Sequence, residues 1–329
     1  MFLYRNILKQ SWQIAWHNKY LWFFGIFAAL LGNGGEYEII VRGLGGDGQS
    51  VFPSWQKLAE TGVFSRQTLH NITTMMSNDA LSLLLTLAVL LVILVLLIFL
   101  VWLTVVSQVA LVNNTAGIIK QKNTNLRQGI NSGINNFWPV FGLNILSKII
   151  IGLIFAVISL PLVLTVLKTN AAVSSSLYIV GFIIFVPLAI ALSFIIKYAI
   201  AYVVIRGSGL VDSFKQGWQL FMDNWLISFE MALILFFINF AVGLIIVLCI
   251  LTLAVPFLFL GFIFYYLASL AGFWLIAIVA LLSFLLLIVL GGAMLAVFQI
   301  SSWTGLFLEL IKGGGTPKIM RVLDNIVRK

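Results

Sequence analysis

Three ionisable side chains, Lys148, Lys197 and Glu230, interrupt long apolar stretches and have the greatest potential for chemistry. A charge inside a membrane-spanning helix costs a few kcal/mol on insertion scales, so such residues are functional candidates by default. Helical rise places Lys197 and Glu230 about 13 Å and about 9 Å inside their stretches, at comparable depth. We therefore predict that Glu230 pairs with Lys197 or Lys148. The alternative is that each lysine extends its ammonium group to the membrane surface.

The remaining polar residues indicate structural roles rather than catalysis. The two histidines, His17 and His70, fall on opposite sides of the predicted membrane, which does not favour a shared metal site or a Ser–His pair. Common catalytic motifs are missing. The sequence therefore predicts a protein that is not an enzyme, with no metal and no cofactor. Four amide side chains are expected to bond between helices or to line a cavity: Gln108, Asn144, Asn239 and Gln299.

The composition predicts that the protein lies in a lipid membrane. Of 329 residues, 62% are hydrophobic and 9% are charged, whereas soluble domains carry about 25% charged residues. Residues 81–106 contain no charge, and roughly 20 apolar residues suffice to cross a bilayer. Solid apolar runs predict helices rather than a barrel, so the expected class is an all-α polytopic membrane protein. The single cysteine, Cys249, is expected to be a small buried apolar side chain.

A short pattern occurs three times, each time just before an apolar stretch. Its order is a cation, Gln, a small residue, an apolar residue and an amide, followed five positions later by Asn. We interpret the three copies as one repeated unit, an amphipathic helix at the membrane surface that leads into a membrane-spanning helix. The copies are Lys9-Gln10-Ser11-Trp12-Gln13 ending at Asn18, Arg127-Gln128-Gly129-Ile130-Asn131 ending at Asn136, and Lys215-Gln216-Gly217-Trp218-Gln219 ending at Asn224.

Each residue type in the pattern suits a helix at the membrane surface. Helical spacing puts the apolar residues on one face, which can lie in the headgroup–acyl boundary while the cation reaches phosphate groups. The small residue allows a neighbouring helix to approach closely. The terminal Asn is expected to cap the helix that follows. The apolar faces comprise Leu8, Trp12 and Trp16 in the first copy, Leu126, Ile130 and Ile134 in the second, and Phe214, Trp218 and Met222 in the third.

The repeats predict six spans in three hairpins within a single membrane domain, 1–329. Repeat one covers about residues 1–112 and contains an extracytoplasmic loop, 32–79, with a surface helix at 52–69. Repeat two covers about 123–205 and repeat three about 208–312, and 313–329 form a cytoplasmic tail. Turns are expected at 168–176 and 254–271. The predicted spans are residues 20–31, 81–112, 137–167, 177–205, 225–253 and 273–303.

The distribution of basic residues predicts the orientation. Thirteen of the 19 Lys and Arg residues lie in the two terminal segments and in residues 113–136 and 206–224, and four lie in the remaining connections. Because basic segments stay on the cytoplasmic side, both termini and all three motifs are expected there. The net charge of +9 is spread along these connections, so anionic phospholipid headgroups are the expected partners rather than nucleic acid.

The region of the third motif resembles a known family. Ala201-Tyr202-Val203-Val204-Ile205-Arg206 and Asp212-Ser213-Phe214-Lys215-Gln216-Gly217-Trp218-Gln219-Leu220 are similar to the membrane domain attached to some glycerophosphodiester phosphodiesterases and to related six-span bacterial membrane proteins. The resemblance covers about residues 80–310 and leaves out the 32–79 loop. It implies a compact six-helix protein of the bacterial cytoplasmic membrane that interacts with lipid. The sequence contains no phosphodiesterase domain, so the resemblance implies no such activity.

Two functions are consistent with these features. The first is a non-enzymatic integral membrane protein that interacts with lipid, or scaffolds protein partners or a second copy of itself, through its amphipathic helices. The alternative is a small-molecule or lipid transporter with a polar cavity between the helices. Motifs on one membrane side argue against the inverted repeats common in transporters. An enzyme acting on lipids would need converging acid, base or metal groups that the sequence does not show.

Overall fold

Helices form nearly all of the chain that the computed structural model describes, which is residues 3–29, 80–166, 171–267 and 270–313. Nine helices and no strand occur in these ranges, so the all-α class is confirmed there. The helices are α1 (Leu3–His17), α2 (Tyr20–Ala29), α3 (Ala80–Ile119), α4 (Leu126–Asn135), α5 (Phe137–Val166), α6 (Ala171–Arg206), α7 (Leu210–Asp223), α8 (Trp225–Tyr266) and α9 (Leu270–Ile311).

Five helices, α3, α5, α6, α8 and α9, are long and apolar enough to cross a membrane. They contain 30 to 42 residues, or roughly 45 to 63 Å of helix, which exceeds a hydrocarbon core of about 30 Å. Lipid offers no partner for a peptide group, so a chain this apolar satisfies its backbone internally as helix. In contrast, the described part of α2 has 10 residues, or about 15 Å of helix, which is shorter than that core.

Two of the predicted turns are largely helical. The turn predicted at 254–271 is wrong over most of its length, because α8 continues to Tyr266 with Pro256 inside it. Similarly, α6 begins at Ala171, within the turn predicted at 168–176. A proline removes one N–H donor, but its apolar neighbours keep their helical hydrogen bonds because lipid provides no others. The predicted 32–79 loop, its surface helix at 52–69 and the tail beyond residue 313 lie outside the described residues.

The chain divides into two compact units, residues 1–33 with 104–329 and residues 34–103. The described part of the second unit belongs to α3 and exposes most of its large apolar side chains. In the first unit, buried side chains concentrate near one end of the long helices, and farther along α8 and α9 the large apolar side chains are exposed. We call the buried region the buried layer; it comprises residues 104–116 of α3, 140–143 of α5, 192–203 of α6, 227–235 of α8 and 293–310 of α9.

Amide side chains join the long helices in and beside the buried layer. The side-chain amide of Asn144 on α5 donates to Gln108 Oε1 on α3 at 3.0 Å. The amide of Gln299 on α9 donates to Asn239 Oδ1 on α8 at 2.5 Å. The prediction that these four residues bond between helices is therefore confirmed. Paired amides also satisfy polar groups that lipid would leave without partners.

Hydroxyl groups and aromatic rings connect α6 to its neighbours in the same layer. The Tyr198 hydroxyl lies 2.7 Å from Ser228 Oγ of α8, and both side chains are buried. The Phe194 ring meets the Trp303 ring of α9 with centroids 5.2 Å apart. The buried layer is thus a packed protein core that holds the ends of α6, α8 and α9 together.

Candidate membrane-interface site

The three short helices α1, α4 and α7 carry the repeated pattern, and we call them the motif helices. Each packs beside the buried layer, α1 against α9, α4 against α3 and α7 against α6. One or two residues separate each motif helix from the apolar helix that follows, which is α2, α5 or α8. The motif helices therefore all contact one layer, at one end of the long helices.

The small residue of a motif helix faces the long helix beside it. Gly217 is buried against the backbone of α6, where an added β-carbon would lie 2.8 Å from the carbonyl oxygen of Ile195 and 2.9 Å from the amide nitrogen of Ala199. Gly129 is buried on α3, and an added β-carbon would lie 2.7 Å from the Asn114 side-chain nitrogen. These distances leave no room for a side chain, so small residues determine how closely the helices approach.

In α1 the buried small residue is Ser11, one helical turn after the buried side chain of Ile7. A β-carbon added to Gly305 of α9 would lie 3.2 Å from Ile7 Cγ2. The Trp12 ring meets the Phe298 ring of α9 edge-on, with centroids 6.1 Å apart. The first motif helix is therefore docked on the last long helix, although the two come from opposite ends of the sequence.

The apolar residues beside the small residue are left uncovered by the protein. The exposed fraction of the residue is 49% for Trp12, 47% for Trp218 and 52% for Met222, and Trp16 and Ile134 are exposed to a similar extent. A tryptophan ring, which has an apolar body and a polar N–H, suits the headgroup–acyl boundary. Each motif helix thus presents one face to the protein and an adjacent apolar face outward.

The motif cations are available to a partner outside the protein. Lys9, Arg127 and Lys215 are exposed, and none of them forms an ion pair with another residue in the described ranges. A helix that carries exposed cations next to an exposed apolar face has the properties of a helix lying on a membrane of anionic lipid. The motif glutamines are exposed at Gln10 and Gln128 and half-buried at Gln216.

The terminal asparagine of each motif connects two helices. Its own carbonyl accepts the first hydrogen bond of the next helix. The prediction that its side chain caps that next helix is wrong at Asn224, which makes no such bond to α8. The side-chain amide is a donor, and it adds a second hydrogen bond to the carbonyls of Ile14 and Ser132, which already accept from the backbone N–H of Asn18 and Asn136. In all three copies the amide donates to the carbonyl four residues earlier: Asn18 to Ile14 at 3.1 Å, Asn136 to Ser132 at 3.0 Å and Asn224 to Leu220 at 3.1 Å.

Replacing these asparagines should destabilise the protein at each junction. We expect Asn136→Ala to lower the free energy of unfolding by about 0.5–1.5 kcal/mol, the net contribution of a typical hydrogen bond. Asn18→Ala and Asn224→Ala should have similar effects, measured by unfolding in mixed detergent. Asn135→Ala is the matched control, because Asn135 is exposed at the adjacent position. Equal effects at 135 and 136 would show that the side-chain bond does not stabilise the junction.

The three ionisable residues of the apolar stretches have different surroundings. Lys148 is exposed on α5. The Lys197 ammonium lies 4.6 Å from the centre of the Trp303 ring, within cation–π distance. Glu230 is only 8% exposed, and its carboxylate accepts a hydrogen bond of 2.5 Å from the Tyr4 hydroxyl of α1. The ion pair between Glu230 and a lysine stays a prediction.

Two residues that sequence reasoning did not single out as site residues belong to the same region. Tyr4 follows the apolar pattern of α1, and only the fold places its hydroxyl on Glu230. Asn114 is fully buried, and neither polar atom of its side chain has a partner among the described residues. Its only sequence signal is a polar residue at the end of an apolar stretch. In the described ranges no three His, Cys, Asp or Glu side chains lie together as a metal site requires.

The chain belongs to a family of unknown function (DUF7544), whose profile matches residues 22–303. Comparison with curated proteins and comparison with solved structures give no match. The matched range begins in α2 and ends in α9, so it includes two of the three motif helices and most of the buried layer. The family description carries no activity, and a function must therefore be argued from the geometry.

Proposed function

We propose that this protein is a non-enzymatic integral membrane protein that binds anionic phospholipids at one membrane surface, as a lipid-interacting or scaffolding protein. Its proposed architecture has six spans in three hairpin repeats, each introduced by one motif helix. Residues 20–31 form the first and shortest span, and a locally thinned bilayer accommodates it. The three repeats cover about residues 1–112, 123–205 and 208–312.

The packing of the motif helices supports the repeats. α4 packs on α3, and α7 packs on α6, so each lies on the long helix that precedes it. α1, the first described helix, packs on α9, the last described long helix. The same contact therefore recurs three times in cyclic order. A cyclic arrangement gives every motif helix an equivalent position around one buried layer, which is the arrangement that three repeats of one unit would adopt.

A single observation carries the proposed function: the protein covers one face of each motif helix and leaves the adjacent apolar face exposed. In an aqueous environment the exposed Trp12, Trp218 and Met222 side chains would be costly. At a membrane surface the same face is buried among acyl chains, and the neighbouring cations meet phosphate. Because all three motif helices contact one layer, they would bind the same leaflet. The distribution of Lys and Arg favours the cytoplasmic leaflet.

The lipid partner follows from the charge. Each basic residue near an anionic membrane surface contributes about 1 kcal/mol of attraction, so the three motif cations favour anionic over zwitterionic lipid. The resemblance to membrane domains of glycerophosphodiester phosphodiesterases supports a lipid-related role in the bacterial cytoplasmic membrane. The distribution of Lys and Arg favours both termini in the cytoplasm. Protein partners, or a second copy of the chain, could be held on the same surface.

The test compares lipid preference in reconstituted protein. We expect the full-length chain in phosphatidylcholine vesicles to immobilise spin-labelled phosphatidylglycerol more than spin-labelled phosphatidylcholine. The triple variant Lys9→Gln, Arg127→Gln, Lys215→Gln should reduce this preference by about fivefold or more, the equivalent of at least 1 kcal/mol. The measured quantity is the immobilised fraction of each spin-labelled lipid in the resonance spectrum.

A matched control separates the motif cations from the overall charge. Lys120, Lys122 and Lys312 are exposed and lie outside the motif helices. Changing all three to Gln removes the same charge, and we expect the lipid preference to remain near that of the unmodified chain. A similar loss in both triple variants would show that net charge alone attracts the lipid, and the motif helices would then have no specific role.

The alternative is a transporter, and one observation favours it. Ser107 and Asn114 of α3 are fully buried, and their side-chain polar atoms have no partner within the described ranges. Such atoms commonly bind water or a ligand. If they line a lipid path, the reconstituted protein should move fluorescent phospholipid between leaflets, as measured by dithionite quenching. Asn114→Leu should then abolish this movement while leaving the preference for anionic lipid unchanged.

A further inference from the structure

The antiparallel helices α8 and α9 contact each other at several levels along their length. A β-carbon added to Gly291 of α9 would lie 2.9 Å from Ile246 Cδ1 of α8. Farther along the pair, the Phe257 and Phe284 rings meet edge-on with centroids 5.9 Å apart. Beside the contact at Ile246 the two helices leave a gap of about 490 Å³, which is an open groove lined by residues 245–249 of α8 and 283–291 of α9.

The walls of this gap are apolar. The one hydroxyl among them, Ser283 Oγ, donates to the carbonyl of Val279 on its own helix at 2.7 Å. Cys249 also faces the gap and is exposed, so the expectation of a buried thiol is wrong. The wall residues are Ile245, Ile246, Cys249, Ser283, Leu286, Leu287, Leu290 and Gly291.

Physical chemistry restricts what can fill such a gap. A buried water needs two to four polar partners, and these walls offer none that is unsatisfied. An empty gap is also unfavourable, because every wall atom would lose its dispersion contacts on one side. The gap lies in the part of α8 and α9 where the outward side chains are large, apolar and exposed. In a membrane, the material that reaches this region is the hydrocarbon of lipids.

We infer that the gap between α8 and α9 is a binding site for one phospholipid acyl chain. The longer wall extends along α9 from Ser283 to Gly291, about 12 Å of helix, which is less than half of a hydrocarbon core of about 30 Å. A segment of a single acyl chain from one leaflet therefore fits the length of the gap. The site depends on α8 and α9 lying in lipid and does not depend on headgroup charge, so it is separate from the proposed function of the motif helices.

The test uses a phosphatidylcholine that carries a diazirine in its acyl chain. The full-length chain is reconstituted with this lipid, transferred to dodecylmaltoside and irradiated, and the labelled peptides are identified by mass spectrometry. We expect label on the wall residues of α8 and α9 to persist in detergent. Residues 84–100 of α3 are the comparison, because they are exposed and apolar, and the detergent should displace lipid from them.

Variants of the wall residues distinguish an acyl chain that is bound in the gap from general contact with lipid. Ser283→Phe fills the gap and should reduce the persistent label about tenfold, equivalent to 1.4 kcal/mol. Gly292→Phe is the matched control on the same helix, since an added β-carbon there meets nothing within 4 Å. It should leave the label unchanged. Cys249→Phe fills the gap from α8 and serves as a second blocking variant if Ser283→Phe does not fold.

Three results would overturn the inference. They are persistent label that is equally strong on residues 84–100, persistent label that survives both blocking variants, and loss of all wall label on transfer to detergent. The lipid in this experiment is zwitterionic. Failure here would therefore leave the anionic preference of the motif helices untouched, and failure of that preference would leave the acyl-chain site untouched.

Discussion

Replacing Gly217 with alanine is expected to lower the free energy of unfolding by about 1–3 kcal/mol, the range measured for overpacked cores. The added methyl group would lie 2.8 Å from the Ile195 carbonyl oxygen and 2.9 Å from the Ala199 nitrogen. Both are backbone atoms inside α6, so they cannot rotate away as a side chain could. The helix α7 would have to move outward and lose its packing on α6. Thermal unfolding of the purified protein in detergent measures the effect.

A loss of stability would distinguish steric conflict from helix propensity, because the two change the free energy of unfolding in opposite directions. Alanine is a better helix former than glycine by roughly 0.5–1 kcal/mol, so without the steric conflict the substitution would stabilise α7. Gly243→Ala on α8 and Gly152→Ala on α5 are the controls, because an added β-carbon at either position meets nothing within 4 Å. We expect both controls to be neutral or stabilising. A stabilising Gly217→Ala would show that α7 does not pack closely on α6.

Removing the Tyr4 hydroxyl is expected to loosen α1 from the rest of the protein. Tyr4→Phe takes one donor from the buried carboxylate of Glu230. Hydrogen bonds to charged groups contribute about 1.5–3 kcal/mol, more than neutral ones, so we expect a loss of this size. The α1 backbone should also become more accessible, which proteolysis of the N-terminal segment or hydrogen exchange would measure.

A double-mutant cycle tests whether the two side chains act together. Tyr4→Phe and Glu230→Gln should be non-additive, with a coupling energy within the range of about 0.5–3 kcal/mol that contacting residues show. Tyr266→Phe is the control for loss of a hydroxyl, since Tyr266 is highly exposed at the other end of α8. Additive effects of Tyr4→Phe and Glu230→Gln would mean that this hydrogen bond does not hold α1 in place.

The repeated pattern allowed the motif helices to be located before their packing was known. Alternation between exposed cations and apolar residues at helical spacing is a local property, and α1, α4 and α7 lie where the pattern predicts them. Helix ends were less predictable. The turn expected at 254–271 rested on Pro256 and two tyrosines, whereas the peptide groups of α8 continue their hydrogen bonds through the proline. Residues that usually end a helix have less effect where lipid offers the backbone no alternative hydrogen-bond partner.

For the terminal asparagines, the sequence predicted the helix junction but not the direction of the side-chain hydrogen bond. Their position at the end of each motif indicates a helix junction, and a junction is present at Asn18, Asn136 and Asn224. The direction of the hydrogen bond could not be read from the sequence, because an Asn side chain can donate or accept. The backbone angles at Asn224 are φ −133° and ψ 31°, outside the extended region typical of an N-cap residue. The amide therefore bonds back to the preceding helix.

The sequence by itself determined that this chain forms apolar helices long enough to cross a membrane, and it located the three motif helices, because hydropathy and helical spacing act over a few neighbouring residues. Only the tertiary structure decided which helix each motif helix covers, that Tyr4 meets Glu230, and that α8 and α9 leave an apolar gap between them. Those features depend on which surfaces fit together when distant segments meet, and in lipid that choice rests on close packing and paired polar groups rather than on burial from water.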